Sequence, residues 1–100
     1  MAPALSSRIF CDCLQSNFTV GAPSGSVPIV LVEVNEGVNT DRVESFSLLF
    51  RGPISPFFPQ AIYRLHHEKL GTMDLFLVPM GPDRDGMRYE AVFNRLRTAK

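Results

Sequence analysis

Apolar and polar residues alternate with a period of two along most of the chain. Glu44 to Arg51 sets Phe46, Leu48 and Phe50 on one face against Ser45, Ser47, Leu49 and Arg51 on the other. Successive strand side chains point to opposite faces, so this segment reads as a half-buried strand. Val27 to Glu36 is rich in β-branched residues, with Val30, Val32 and Val34 on one side and Ile29, Leu31, Glu33 and Asn35 on the other. Its first half is apolar on both faces, which predicts cover on both. Ala61 to His67, Met73 to Met80 and Met87 to Asn94 read as further strands, the last with Met87, Tyr89, Ala91 and Phe93 on one face. Asn17 to Val20 is a brief strand stopped by Gly21. Ahead of it, a serine at 6 or 7 caps a short helix that carries Ile9, Phe10 and Cys13 or Leu14 on one side.

Turn formers separate these elements. Gly21 to Ser26 and Gly81 to Gly86 are turn-rich, and Glu36 to Asp41 reads as a polar turn. Gly52 to Pro59 carries three prolines and cannot be a ladder strand. No connection is long enough for a crossover helix, so neighbouring strands are expected to be antiparallel. The expectation is an all-β domain spanning residues 1–100, a meander of about six strands curled into a small barrel or a two-layer sandwich. A short N-terminal helix would cap one end. The expected core is Phe46, Leu48, Phe50, Tyr63, Leu65, Phe76, Val78, Tyr89, Ala91 and Phe93.

Composition narrows the function classes. One hundred residues allow a single domain, and 45% hydrophobic with 20% charged residues is an ordinary globular balance. Ten basic side chains offset ten acidic ones, so no net positive field invites a phosphate backbone, and no nucleic-acid partner is expected. Zero net charge also removes the repulsion that keeps copies apart. The run Val27 to Val34 is interrupted by Pro28 and Glu33 and is far shorter than the ~20 residues of a membrane helix. No secretory signal is read at the N-terminus, and a cytoplasmic location without membrane contact is expected. Cys11 and Cys13 sit too close for a useful disulfide and fit reduced thiols.

Four residues have the chemistry of a zinc site, namely Cys11, Cys13, His66 and His67, but their spacing is wrong. Adjacent histidines on a strand point to opposite faces and cannot share one ion. A nucleophile would need an activating base. His66 or His67 with Asp74 supplies candidates, yet no serine or cysteine stands in an elbow context. No catalytic residue, metal or cofactor is therefore assigned. Asp83 to Gly86 lacks the distal ligands of a calcium loop and reads as a hairpin turn. Phe57 and Phe58 lie between Pro56 and Pro59, where exposed rings would anchor a partner and buried rings would plug an end of the barrel.

Longer strings carry a family resemblance: Glu44-Ser-Phe-Ser-Leu-Leu-Phe-Arg-Gly-Pro, Pro59-Gln60 with Tyr63 and His67, Leu70-Gly71 with Asp74-Leu-Phe-Leu-Val-Pro, and Tyr89-Glu-Ala-Val-Phe-Asn. From about Val27 onward the chain resembles an uncharacterised family of small bacterial proteins. Ala61 stands where that family has glycine. The resemblance implies a setting near tail-collar and tail-fibre-like proteins, and so an accessory or structural role; it supplies no catalytic residue. Strand parity sets Tyr63 and His67 on one face, where their polar tips would satisfy backbone groups near the proline loop and the Leu70-Gly71 turn. Gln60, Tyr63, His67 and Gly71 thus read as structural, and Phe57, Phe58, Arg51 and Gln60 as candidate contact residues. The expected function is a non-enzymatic structural or protein-interaction module with a protein partner, self-association included. A small barrel binding a ligand or peptide is the alternative, and an enzyme with a histidine-based site the third reading.

Overall fold

A computed structural model of the chain describes residues 7–22, 25–40, 43–54 and 58–96. A five-residue helix α1 (Ser7–Cys11) precedes β1 (Asn17–Ala22), β2 (Gly25–Asn39), β3 (Val43–Gly52), β4 (Ala61–His67), β5 (Gly71–Pro82) and β6 (Met87–Leu96). No helix among the described residues is long and apolar enough to cross a membrane.

All strand pairs are antiparallel. They form one sheet that closes on itself in the order β1-β2-β3-β6-β5-β4. This is a closed ring rather than two separate layers, and it is not a simple meander. Strands β3 and β4 follow each other in sequence but stand on opposite sides of the ring. Between them, Phe58 lies at the ring's mouth against Tyr63 and Tyr89. Pro53 and Pro59 lie outside the ladders, and β6 rather than β4 pairs with β3.

Ring closure through β1 and β4 is thin, resting on Thr19 opposite His66 and Val20 opposite Leu65. The β3–β6 ladder runs unbroken from Val43–Leu96 to Gly52–Met87, whereas the β2–β3 ladder holds a register shift between Leu31 and Glu33. That bulge inverts the side-chain phase: Ile29 and Leu31 point inward, and beyond the extra residue Val34 packs against the core while Glu33 is exposed. The expected grouping of Val34 with Val30 and Val32 is corrected by this one residue. The expected turn at Glu36 is also displaced, because the ladder continues to Asn39 opposite Glu44. Reversal begins at Thr40, whose hydroxyl accepts from the Val43 amide at 3.0 Å.

The core contains Phe46, Leu48, Phe50, Leu65, Tyr89 and Ala91, as strand parity predicts, while Tyr63, Val78 and Phe93 are half-buried. Phe76 is the exception. It is 47% exposed, and Met73, Leu75 and Leu77 fill the interior in its place. Phe76 and Val78 put apolar residues on the face that also carries Thr72 and Asp74, and the polar pair marks that face as the outer one. Pairing with β4 agrees: Met73 lies opposite Leu65, and Leu75 opposite Tyr63, and directly opposed residues share a face.

An aromatic ring closes each end. At one, α1 inserts Phe10, fully buried, with ring centroids 6.3 Å from Phe18, 6.0 Å from Phe46 and 5.5 Å from Phe93. At the other, the proline connection delivers Phe58 edge-on to Tyr63 and Tyr89, at 5.4 and 5.8 Å.

Candidate functional site

Phe58 is buried at 4% exposure, so its role as an exposed anchor is corrected: it is a plug. Its amide donates to the Tyr89 hydroxyl at 2.9 Å, and the Tyr63 hydroxyl donates to the Pro59 carbonyl. Two tyrosine tips thus satisfy backbone groups of a segment that no ladder can serve. Phe57 lies outside the described residues. Arg51 does not pair with Gln60; its guanidinium donates to Asp83 at 3.1 Å, while Gln60 stands exposed just before β4.

That ion pair closes the β5–β6 turn. Asp83 accepts the amides of Asp85 and Gly86 through Oδ1, at 2.8 and 3.0 Å. Its Oδ2 faces Arg51 and, at 3.9 Å, Arg88. Arg51 and Arg88 are cross-strand neighbours, and the carboxylate between them relieves a like-charge opposition. These hydrogen bonds, led by that from Asp85, hold the Asp83 carboxyl below the usual carboxylate range.

The most chemically varied surface lies at the other end, in a groove of about 540 Å³ between the α1–β1 turn and the β4–β5 turn. Asp12, Gln15, Asn17, Thr19, His66 and Lys69 line it, with Ser16 and His67 at its floor. Gln15 holds a left-handed φ of 66°, a cost offset where its amide donates to the Leu31 carbonyl at 2.7 Å. Adjacent histidines do face opposite ways, His67 buried and His66 exposed.

Ser16 and His67 meet at 2.9 Å, and their protons can be assigned from the remaining partners. His67 Nδ1 faces the backbone amides of Lys69 and Leu70, at 3.0 and 3.3 Å, so it must be the acceptor. The ring proton then sits on Nε2 and is donated to Ser16 Oγ, whose own proton goes to the Cys13 carbonyl. Nucleophile activation needs the opposite flow, with the imidazole receiving the serine proton. Burial lowers the His67 pKa and favours this neutral form. Asp74 is no orienting acid, because it pairs with Arg64 across the outer face at 3.0 Å. Burial likewise raises the Cys13 thiol, which keeps it protonated. The Ser16–His67 contact therefore works as a clasp that ties the α1–β1 turn to the β4–β5 turn. Nothing in the sequence singles out Ser16.

Among the described residues, no group of three or more His, Cys, Asp or Glu side chains gathers as a metal site would require. No curated protein and no solved structure matches the chain significantly. The Tyr63, His67 and Gly71 positions, the Phe-Arg-Gly-Pro strand end and the Tyr89 hydroxyl all lie within the segment, residues 5–93, matched by the family described as a domain of unknown function, DUF6916, and the chain belongs to that family.

Proposed function

We propose that this chain is a non-enzymatic protein-interaction module and, in finer form, an accessory structural part of a tail-like or appendage assembly. One observation carries the reading. The interior is filled and plugged at both ends, while Ile62 and Phe76, direct cross-strand neighbours, stand 69% and 47% exposed on the outer wall. Val92, on the outer face of β6, is 62% exposed. Large apolar groups presented on a stiff sheet are ready to be buried by another protein at little ordering cost. The test is to tag the protein in its native cells and weigh what co-purifies, for wild type and for a double variant with Ile62→Asp and Phe76→Asp. A stoichiometric polypeptide lost in a variant that melts normally is expected. No stoichiometric partner, or one indifferent to the double variant, would refute the proposal.

The groove supports a second reading, a site for a small polar ligand or peptide. Its volume is of the size such sites have, and carboxylate, amide, hydroxyl and ammonium groups converge on it. Fragment screening by amide chemical shifts checks this, with coherent shifts at Asn17, His66 and Lys69 expected. Shifts scattered over the surface exclude it.

A further inference from the structure

Arg51 and Arg88 stand directly opposite each other across β3 and β6. Arg51 follows the buried Phe50 and Arg88 precedes the buried Tyr89, so strand parity turns both guanidiniums to the outer wall. Like charges so placed oppose strand pairing. Asp83 offsets this in part only. Its one carboxylate bonds Arg51 at 3.1 Å and stands 3.9 Å from Arg88 Nε, beyond hydrogen-bond reach. Among the described residues, Glu90, the next outward residue of β6, pairs with neither arginine.

The same two side chains carry a second anomaly. Among the described residues, the buried side-chain nitrogens and oxygens without a hydrogen-bond partner are Arg51 Nε and Arg88 Nε. Buried donors almost always meet an acceptor, so two orphans on facing side chains call for one. The place is also open to solvent. The two side chains are 35% and 43% exposed, and a bulge between Pro79 and Gly81 sets Gly81 rather than Met80 opposite Arg88. Gly81 has no side chain to cover the guanidinium, and even an added Cβ there would meet nothing within 4 Å.

We propose that Arg51 and Arg88 form a binding site for a carboxylate, held between the two guanidiniums on the outer wall at the β5–β6 turn. A guanidinium presents Nε and one Nη along a single edge, and that edge matches a planar carboxylate with two parallel bonds. Turned outward onto such a ligand, each arginine gives its orphaned donor an acceptor. Charge narrows the class further. Two guanidiniums against one Asp83 carboxylate leave one positive charge, so a singly charged ligand neutralises the cluster, whereas a phosphate dianion would leave it negative. The carboxylate belongs to a small organic acid or to an acidic side chain of a polypeptide. Neither arginine lies on the Ile62–Phe76 surface or in the groove, so the site goes beyond both readings above.

The test follows the arginine Nε–H signals of isotope-labelled protein at mildly acidic pH as sodium acetate is added, with sodium chloride at matched ionic strength as the control. The Arg51 and Arg88 signals are expected to move together and saturate in acetate, and to hold still in chloride. Arg51→Lys and Arg88→Lys each keep the charge and lose the fork, and each should weaken acetate binding by about tenfold or more while the amide spectrum stays folded. Acetyl-Gly-Glu-Gly-amide, with its one carboxylate on a peptide, separates the sources. Binding tighter than acetate assigns the site to a polypeptide side chain, and binding no tighter assigns it to a small acid. Wild-type signals that drift without saturating, or that follow chloride equally, mean an adventitious ion only and overturn the inference. Acetate binding that survives both lysine variants overturns it as well, and the partner test at Ile62 and Phe76 is unaffected by either result.

Discussion

His67 joins two turns through hydrogen bonds that fix where its ring proton sits. Its Nδ1 accepts from two backbone amides, and protonating that nitrogen would set proton against proton. Because its folded pKa lies below the ordinary 6.5, native and unfolded chains bind protons equally above that value. As pH falls below it, the unfolded chain protonates first, so stability drops until the lowered native pKa is passed. Urea unfolding over a pH series should show this loss in wild type and not in His67→Ala, which itself costs about 2–3 kcal/mol by orphaning the two amides. An unchanged pH slope in the variant would show that another group titrates. Tyr89 and Phe58 form a second such pair. Phe58→Ala should cost about 3–5 kcal/mol as a core truncation, and Tyr89→Phe about 1–3 kcal/mol through the lost acceptor. Chemical denaturation measures both, and a near-neutral Phe58→Ala would mean that the plug seals nothing.

Among the elements, the β5–β6 turn shows the tightest steric constraint. A side chain on Gly86, at φ +154°, would place its Cβ 2.1 Å from the Gly52 carbonyl oxygen. Gly52 is confined less severely, since a Cβ there would meet the Ile29 side chain at 2.8 Å. The approach of the β5–β6 turn to the end of β3 therefore depends on Gly86 lacking a side chain, while Gly52 leaves room for Ile29 in the core. Gly86→Ala should destabilise by about 1–3 kcal/mol or more, as overpacking does, and Asp83→Ala should lower the melting temperature through the lost turn bonds. Thermal melts of the two variants decide the point. If Gly86→Ala melts like wild type, the close approach is not real. The Arg64–Asp74 pair, by contrast, is solvent-facing, and its removal should leave the melt almost unmoved.

For the molecule as a whole, the two thiols report on opening. Cys11 is exposed and Cys13 is 5% exposed beneath the α1–β1 turn. Alkylation of the native protein should add one group quickly, with the second following only as the α1 end opens. Intact mass against time reads both steps, and equal rates would show that α1 does not seal that end. The helix has only five residues, too few to persist without packing, so its stability is borrowed from Phe10 in the aromatic cluster.

The sequence by itself determined the strand-rich architecture, the helix ahead of β1 and the inward set on β3 and β6. Each follows from local alternation or from turn residues such as Gly71, at φ +81°, that act over a few positions. It also indicated that Tyr63 and His67 share a face, because parity within one short strand needs no tertiary information. The inward face of β5 was legible too, because Thr72 and Asp74 share the face of Phe76, while the pairing with β4 fixed the register that sets Met73 on Leu65 and Leu75 on Tyr63. Only the tertiary structure decided that β3 pairs with β6, and between the two readings the sequence left open for Phe58 it chose the buried plug. It alone brought Ser16 to His67 across 51 residues of chain. Register and ring closure are properties of strands taken together, so no single segment carries them.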